Sequence, residues 1–346
     1  MTAMTSSVEK NSELGTPLLS VKGLTIDLSG DPGQRGLVED VSFDLHQKGS
    51  LALIGESGCG KSLTSMAVLG LLPPNLPVRA GSVEFDGVDL LHCSERELRR
   101  VRGGPVGIVF QEPMSSLNPT MTVGDQIAEA RRIHLGERRS TASRRAVELL
   151  DRVGIPNARE RIRSYPHELS GGMQQRVMIA AAIACDPKLV IADEPTTALD
   201  VTIQAEILAL LADLRRDLDL AVMLVTHDLG VVADFCDDVV VMYAGHVVER
   251  TSVDGLFYEP KHPYSSALLG SVPSAEEPRT RLPVIPGRVP PAGRFPDGCR
   301  FQPRCGHALP EPCALPQGES ELDGGHRTRC CRVADGAVTL SGVPRG

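Results

Sequence analysis

Gly55-Glu56-Ser57-Gly58-Cys59-Gly60-Lys61-Ser62 has the form G-x-x-x-x-G-K-[ST], and its flanks decide how it folds. The apolar run Leu51-Ala52-Leu53-Ile54 ahead of it reads as a buried strand, and the apolar spacing of Leu63 to Leu72 behind it suits a helix. Strand, loop and helix in that order are the context in which such a loop cradles phosphates. Its glycines let successive backbone N–H groups turn inward, and the helix start adds the positive end of a dipole. Lys61 can then reach the outer phosphates, and the Ser62 hydroxyl can ligate Mg²⁺. The plainer reading is a Gly-rich connection with no ligand.

Outward from this loop the chain keeps an α/β rhythm. Leu18 to Val21, Leu24 to Leu28, Val38 to Leu45, Val83 to Gly87 and Val106 to Phe110 read as strands or strand and turn, with a loop over Ser29 to Gly36. Val123 to Asp151 has helical spacing with Arg-rich faces. Leu189 to Ala192 and Ala221 to Thr226 are continuous apolar runs, as in strands covered on both sides. Ile203 to Leu220 between them is amphipathic, and Val239 to Tyr243 with His246 to Glu249 form a hairpin turning at Ala244-Gly245.

Three further strings carry chemistry. Asp193-Glu194 ends the first of those two apolar runs, where Asp193 can hold Mg²⁺ and Glu194 can polarise a water as general base. Taken alone, it is more commonly an acidic cap on a strand. Ser170-Gly171-Gly172 stands before the helical run Met173 to Ala184, a second helix start suited to an anion or a simple cap. His227 follows the strand ending at Thr226. Taken in order with Leu169-Ser170-Gly171-Gly172-Met173-Gln174-Gln175-Arg176, these strings resemble the ATP-binding-cassette (ABC) ATPases over about residues 18 to 255.

The resemblance implies an α/β fold: a mixed-sheet P-loop core with a helical subdomain, about 113–180. It assigns Gln111 to the glutamine loop and a magnesium site shared with Ser62 and Asp193. Ala198-Leu199-Asp200 becomes the loop crossing a dimer interface, and His227 the switch histidine. It further implies that two such domains pack head to tail, so that Ser170, Gly171 and Gly172 serve the partner's ATP. The family commonly stacks adenine on an aromatic residue; Leu28 stands there and offers an apolar face only.

Beyond about Leu256, prolines crowd in and cysteines appear at intervals. His262-Pro263-Tyr264 with Leu268 to Pro273, Ile285 to Pro290, and Gly298 to Cys305 resemble the tail of dipeptide/oligopeptide (and nickel) importer ATPases. Phe110 to Pro119 continues that likeness, and Gly55 to Leu72 points to the D-type subunit. The implied arrangement is an arm over 1–17, a nucleotide-binding domain over 18–255 and a small Pro/Cys-rich domain over 256–346. Its implied partners are a second, F-type ATPase, two permease subunits and an extracytoplasmic binding protein. The implied place is the cytoplasmic face of the membrane, and peptide import is the implied work. Nickel or another small solute is the alternative cargo. A soluble ABC ATPase would carry coiled-coil insertions or tandem cassettes, and an export ATPase would lack the tail.

Cys299, Cys305, Cys313 and Cys330 follow the spacing C-x5-C-x7-C-x16-C, which by itself leaves metal ligation and free thiols both open. Some members of the peptide-importer group carry a [4Fe–4S] cluster here with the last ligand in a His-Arg-x-x-Cys setting, matched by His326-Arg327-Thr328-Arg329-Cys330. The resemblance thus implies a cluster with a structural or docking role, remote from hydrolysis. Composition narrows the rest. A formal charge of −8 argues against nucleic acid as the main partner, and no apolar run approaches the roughly 20 residues that cross a bilayer. Met1 to Gly15 lacks the apolar core of a signal peptide.

Overall fold

A computed structural model describes residues 15–28, 36–197, 199–271, 284–291 and 294–343. Most of the N-terminal arm, residues 29–35 of the predicted loop, Ala198, and Val272-Pro273 of the tail motif lie outside the described residues. The chain divides into two compact units.

The first unit takes the chain to His46, Leu51–Leu91 and everything from Thr226 onward. Its antiparallel sheet has the order Val38–Leu45, Leu19–Ile26, Val78–Phe85, Val88–Asp89. The two strands expected over Leu18 to Leu28 are one strand, with register shifts at its middle where Gly23 takes φ +58°. Ser50–Ile54 pairs in parallel with Asp238–Tyr243, which pairs in turn with the antiparallel strand His246–Ser252. The hairpin turns at Ala244 and Gly245, both at positive φ, as a tight primed turn requires. Short strands Arg327–Thr328 and Ser320–Glu321 from the tail extend this pairing. The tail therefore folds onto the same framework that carries the phosphate loop.

The second unit comprises Gln47–Ser50 and His92–Val225. Val106–Val109, Leu189–Asp193 and Ala221–Thr226 run parallel, and every residue of the last two is buried. That explains their unbroken apolar sequence, since a strand covered on both faces cannot alternate. Helix Val201–Leu218 buries Ile207, Leu211 and Leu214, one stripe at helical spacing. The single helical stretch expected over Val123 to Asp151 is instead two, Val123–Leu135 and Arg139–Arg152. Gly136 takes φ +65° and ends the first of them. Glu95–Val101, Gly171–Ala182 and the short helices Pro113–Ser116 and Ala158–Arg161 also belong to this unit.

Candidate functional site

In the first unit the phosphate loop bridges Ser50–Ile54 and helix Lys61–Val68. Gly55 has φ +149°, and a Cβ there would lie 2.1 Å from the Met242 carbonyl oxygen, so no other residue fits. Lys61 is buried, and its Nζ donates to the carbonyls of Gly55 at 2.8 Å and Glu56 at 3.1 Å. The ammonium is thereby held across the loop's own mouth, the position from which it can exchange carbonyls for phosphate oxygens. Burial raises the Cys59 thiol above its ordinary range, with Lys61 opposing, so Cys59 is a neutral packing residue here. Ser57 and Gly58 are exposed and Ser62 is half-buried at the helix start. His227 is exposed, just before helix Leu229–Phe235, which Asp228 caps by accepting from Gly230 N at 2.9 Å. Leu28 is 39% exposed, able to offer a face to a ligand but no ring.

Glu56 has two partners from far along the chain. Its N–H donates to the Tyr264 hydroxyl at 2.9 Å. Its carboxylate receives Arg304 Nη1 at 2.9 and 3.1 Å. Tyr264 and Arg304 both belong to the tail. The tail thus touches the phosphate loop directly.

In the second unit, Asp193 is buried at the end of its strand, and the next residue, Glu194, has φ +45°. A left-handed backbone at a non-glycine residue costs on the order of 1 kcal/mol and persists only where neighbours enforce it. Here Glu194 N donates to Val225 O at 2.9 Å. The carboxylate is held as well: Gln111 Nε2 donates to Glu194 Oε2 at 3.1 Å, and Thr197 Oγ1 donates to the same oxygen at 2.8 Å. Ser170 caps helix Gly171–Ala182, its Oγ accepting from Met173 N at 3.4 Å, which places the Gly171 and Gly172 amides in the helix's first turn. Asp200 caps Val201–Leu218 by accepting from Ile203 N at 3.0 Å.

The tail cysteines converge. Cys299, Cys305, Cys313 and Cys330 line one cavity together with His262, Phe301 and Arg332. Gly298 makes this possible, since a Cβ there would stand 2.1 Å from the Cys313 carbonyl oxygen. Leu309 N donates to the Cys313 sulfur at 3.5 Å. Burial pushes the Cys299 thiol up to about 12 and the Cys330 thiol up to about 11, with the neighbouring cysteines adding to both. Cys331 instead turns its Sγ to the Pro312 carbonyl at 3.6 Å. Among the described residues no three His, Cys, Asp or Glu side chains are gathered closely enough to hold a metal ion. Sequence reasoning missed Thr197, Tyr264 as a loop contact, and Arg304. Only the position of Arg304 beside Cys305 could have pointed to it.

A putative peptide import ATP-binding protein of Brucella abortus is 49% identical over 314 residues, 91% of this chain and 94% of that protein. The chain belongs to the ABC-transporter ATP-binding proteins. The ABC transporter family pattern matches residues 38–197, and that of the oligopeptide/dipeptide transporter C-terminal region matches residues 248–313. The oligopeptide transport ATP-binding protein OppD of Escherichia coli is 45% identical, covering 94% of this chain and 96% of its own. The dipeptide transport protein DppD of the same organism is 45% identical, covering 92% and 98%. Among solved structures, a dimeric ATP-binding cassette in a post-hydrolysis state with ADP and phosphate is similar at TM-score 0.61. It is 26% identical and covers 68% of this ABC protein and 98% of that chain. The cbiO1 cassette of Clostridium perfringens is similar at TM-score 0.60, 26% identical, covering 70% and 91%. Among the described residues of this ABC protein no helix is long and apolar enough to cross a membrane.

Proposed function

We propose that this chain hydrolyses ATP to drive the import of peptides as the D-type ATPase of an ABC importer. The observation that carries the catalytic reading is the Glu194 carboxylate, held at a strand end by Gln111 and Thr197. Gly55 to Ser62 bind the ATP phosphates, Lys61 neutralising their charge, while Leu28 supplies an apolar face to the base. Glu194 takes a proton from the attacking water, whose oxygen displaces ADP from the γ-phosphorus, and His227 orients the phosphate end. Ser62, Gln111 and Asp193 are the residues to hold Mg²⁺, which supplies charge neutralisation on the phosphate oxygens. Ser170, Gly171 and Gly172, with Asp200 beside the interface loop, serve the nucleotide of a partner ATPase.

Residues 18–255 make the nucleotide-binding domain of this reading, and 256–346 its appended tail. The assembly contains a second, F-type ATPase, two permease subunits and an extracytoplasmic binding protein, with this chain peripheral on the cytoplasmic face. A site completed by another subunit makes the isolated chain a slow ATPase. Adding the companion ATPase and permeases in vesicles is expected to raise phosphate release at least about tenfold, and peptide-loaded binding protein should raise it further. An isolated chain running at the assembled rate, or an assembly indifferent to peptide, would contradict this function.

The tail thiols are the candidate ligands of a [4Fe–4S] cluster. Such a cluster would take four thiolates, and four cysteines line this one cavity. Cys299, Cys305, Cys313 and Cys330 would hold it, and it would supply cross-links to a segment too rich in Pro and Gly to build a large core. Anaerobically purified protein is expected to be brown, with about four iron and four sulfide per chain. Cys305→Ser or Cys313→Ser should bleach it. Stoichiometric zinc without sulfide would overturn the cluster, as would metal-free cysteines.

A further inference from the structure

We propose that Glu56 is the residue through which the tail's cysteine cavity sets nucleotide affinity, with Tyr264 and Arg304 as its positioning residues. This rests on the reading of that cavity as a cluster site, but the contacts themselves do not.

Two short routes join the cavity to the loop. The first runs through Arg304, the residue before Cys305, on the turn Gln302–Arg304. Its side chain is 5% exposed, and the guanidinium reaches both carboxylate oxygens of Glu56 and is locked by donation from Nε to Pro286 O at 2.7 Å and from Nη1 to the Tyr243 hydroxyl at 3.3 Å. A charge-assisted contact between partly dehydrated groups is stiff and directional. The second route runs through the His262-Pro263-Tyr264 motif. His262 lines the cavity and accepts from Tyr264 N at Nδ1, 3.1 Å away, while the Tyr264 hydroxyl accepts from Glu56 N. Accepting at Nδ1 leaves the proton of neutral His262 on Nε2.

Between the routes lies a plug of rings. Phe301, two residues from Cys299, packs at 5.1 Å from Tyr243, 5.4 Å from Tyr264 and 6.0 Å from His262, centroid to centroid. A close-packed interior transmits displacement instead of absorbing it. Drawing the four sulfurs onto one centre therefore moves Phe301 and Arg304 with them. Glu56 passes the displacement on: its carbonyl oxygen holds Lys61 Nζ at 3.1 Å while its N–H holds Tyr264. The peptide groups on either side of Glu56 thus connect the tail to the cation that meets the phosphates. The tail's state becomes a term in the position of Lys61.

The experiment measures equilibrium binding of a fluorescent ATP analogue to the full chain, purified anaerobically, before and after iron is stripped with a chelator. Iron content and thermal unfolding are followed in parallel. Stripping the parent is expected to weaken nucleotide binding about fivefold or more, the low end of ordinary coupling between sites. Arg304→Gln and Tyr264→Phe should each weaken binding while iron content stays full, and Arg304→Lys should recover part of the loss. Combining Arg304→Gln with Tyr264→Phe should abolish the response to stripping. A double variant that still responds, or that binds as tightly as the parent, overturns the proposal. A chain holding no iron or sulfide overturns the cluster reading instead. The coupling then stands on the two single variants, and unchanged affinity in both sinks it.

Discussion

Glu194→Gln is expected to keep nucleotide binding and to slow phosphate release by about 10²- to 10⁴-fold, the usual contribution of a positioned general base. The amide has nearly the shape of the carboxylate but cannot take the proton of water. Its carbonyl oxygen can still accept from Thr197 or Gln111, which meet the native carboxylate at 2.8 and 3.1 Å. The backbone at φ +45° is set by Val225 and the strand end, not by the side-chain charge. The fold therefore survives the change, and loss of rate separates from loss of structure. Nucleotide binding and single-turnover phosphate release, measured on the same preparation, make the check. Near-normal turnover would remove Glu194 from the role of base.

Lys61→Ala should act on the opposite quantity. Lys61 is the one side-chain cation among Gly55 to Ser62, and its Nζ now rests on two carbonyls that phosphate oxygens would replace. Losing two hydrogen bonds of a charged donor costs on the order of 3 kcal/mol, so ATP affinity should fall about 100-fold. The buried position means that alanine also leaves the Gly55 and Glu56 carbonyls without this donor, and some loss of thermal stability is expected alongside. A titration showing affinity within about threefold of the parent would place the phosphates elsewhere. A combined Lys61→Ala and Arg304→Gln variant should lose less affinity than the two changes would in sum. The second acts through the first, and effects routed through one contact do not add.

Much of this protein is local. The phosphate loop, the signature helix start at Ser170 and the acidic strand end at Asp193-Glu194 each occupy fewer than about ten consecutive residues. Their function depends on backbone geometry that neighbours in sequence impose, such as a glycine at a close approach or a hydroxyl at a helix start. Continuous apolar runs announced the buried parallel strands for the same reason. The helical stretch after Val123 was legible as helix but not as two, because Gly136 can sit within a helical pattern or end it, and packing chose the latter.

Tertiary structure alone decided the rest. Gln111 and Glu194 meet across 83 positions of chain, and Glu56 meets Tyr264 across 208 and Arg304 across 248. No periodicity carries such pairings, since they follow from which strands share a framework and how loops return to it. The tail shows this most plainly: its cysteine spacing leaves metal and free thiols equally open, while the folded chain gathers the four sulfurs around one cavity. Short strands at 320–321 and 327–328 dock that segment beside the hairpin that flanks the phosphate loop. Contacts made by docking belong to the three-dimensional arrangement, and that arrangement set the tail residues Tyr264 and Arg304 on Glu56, whose carbonyl holds Lys61.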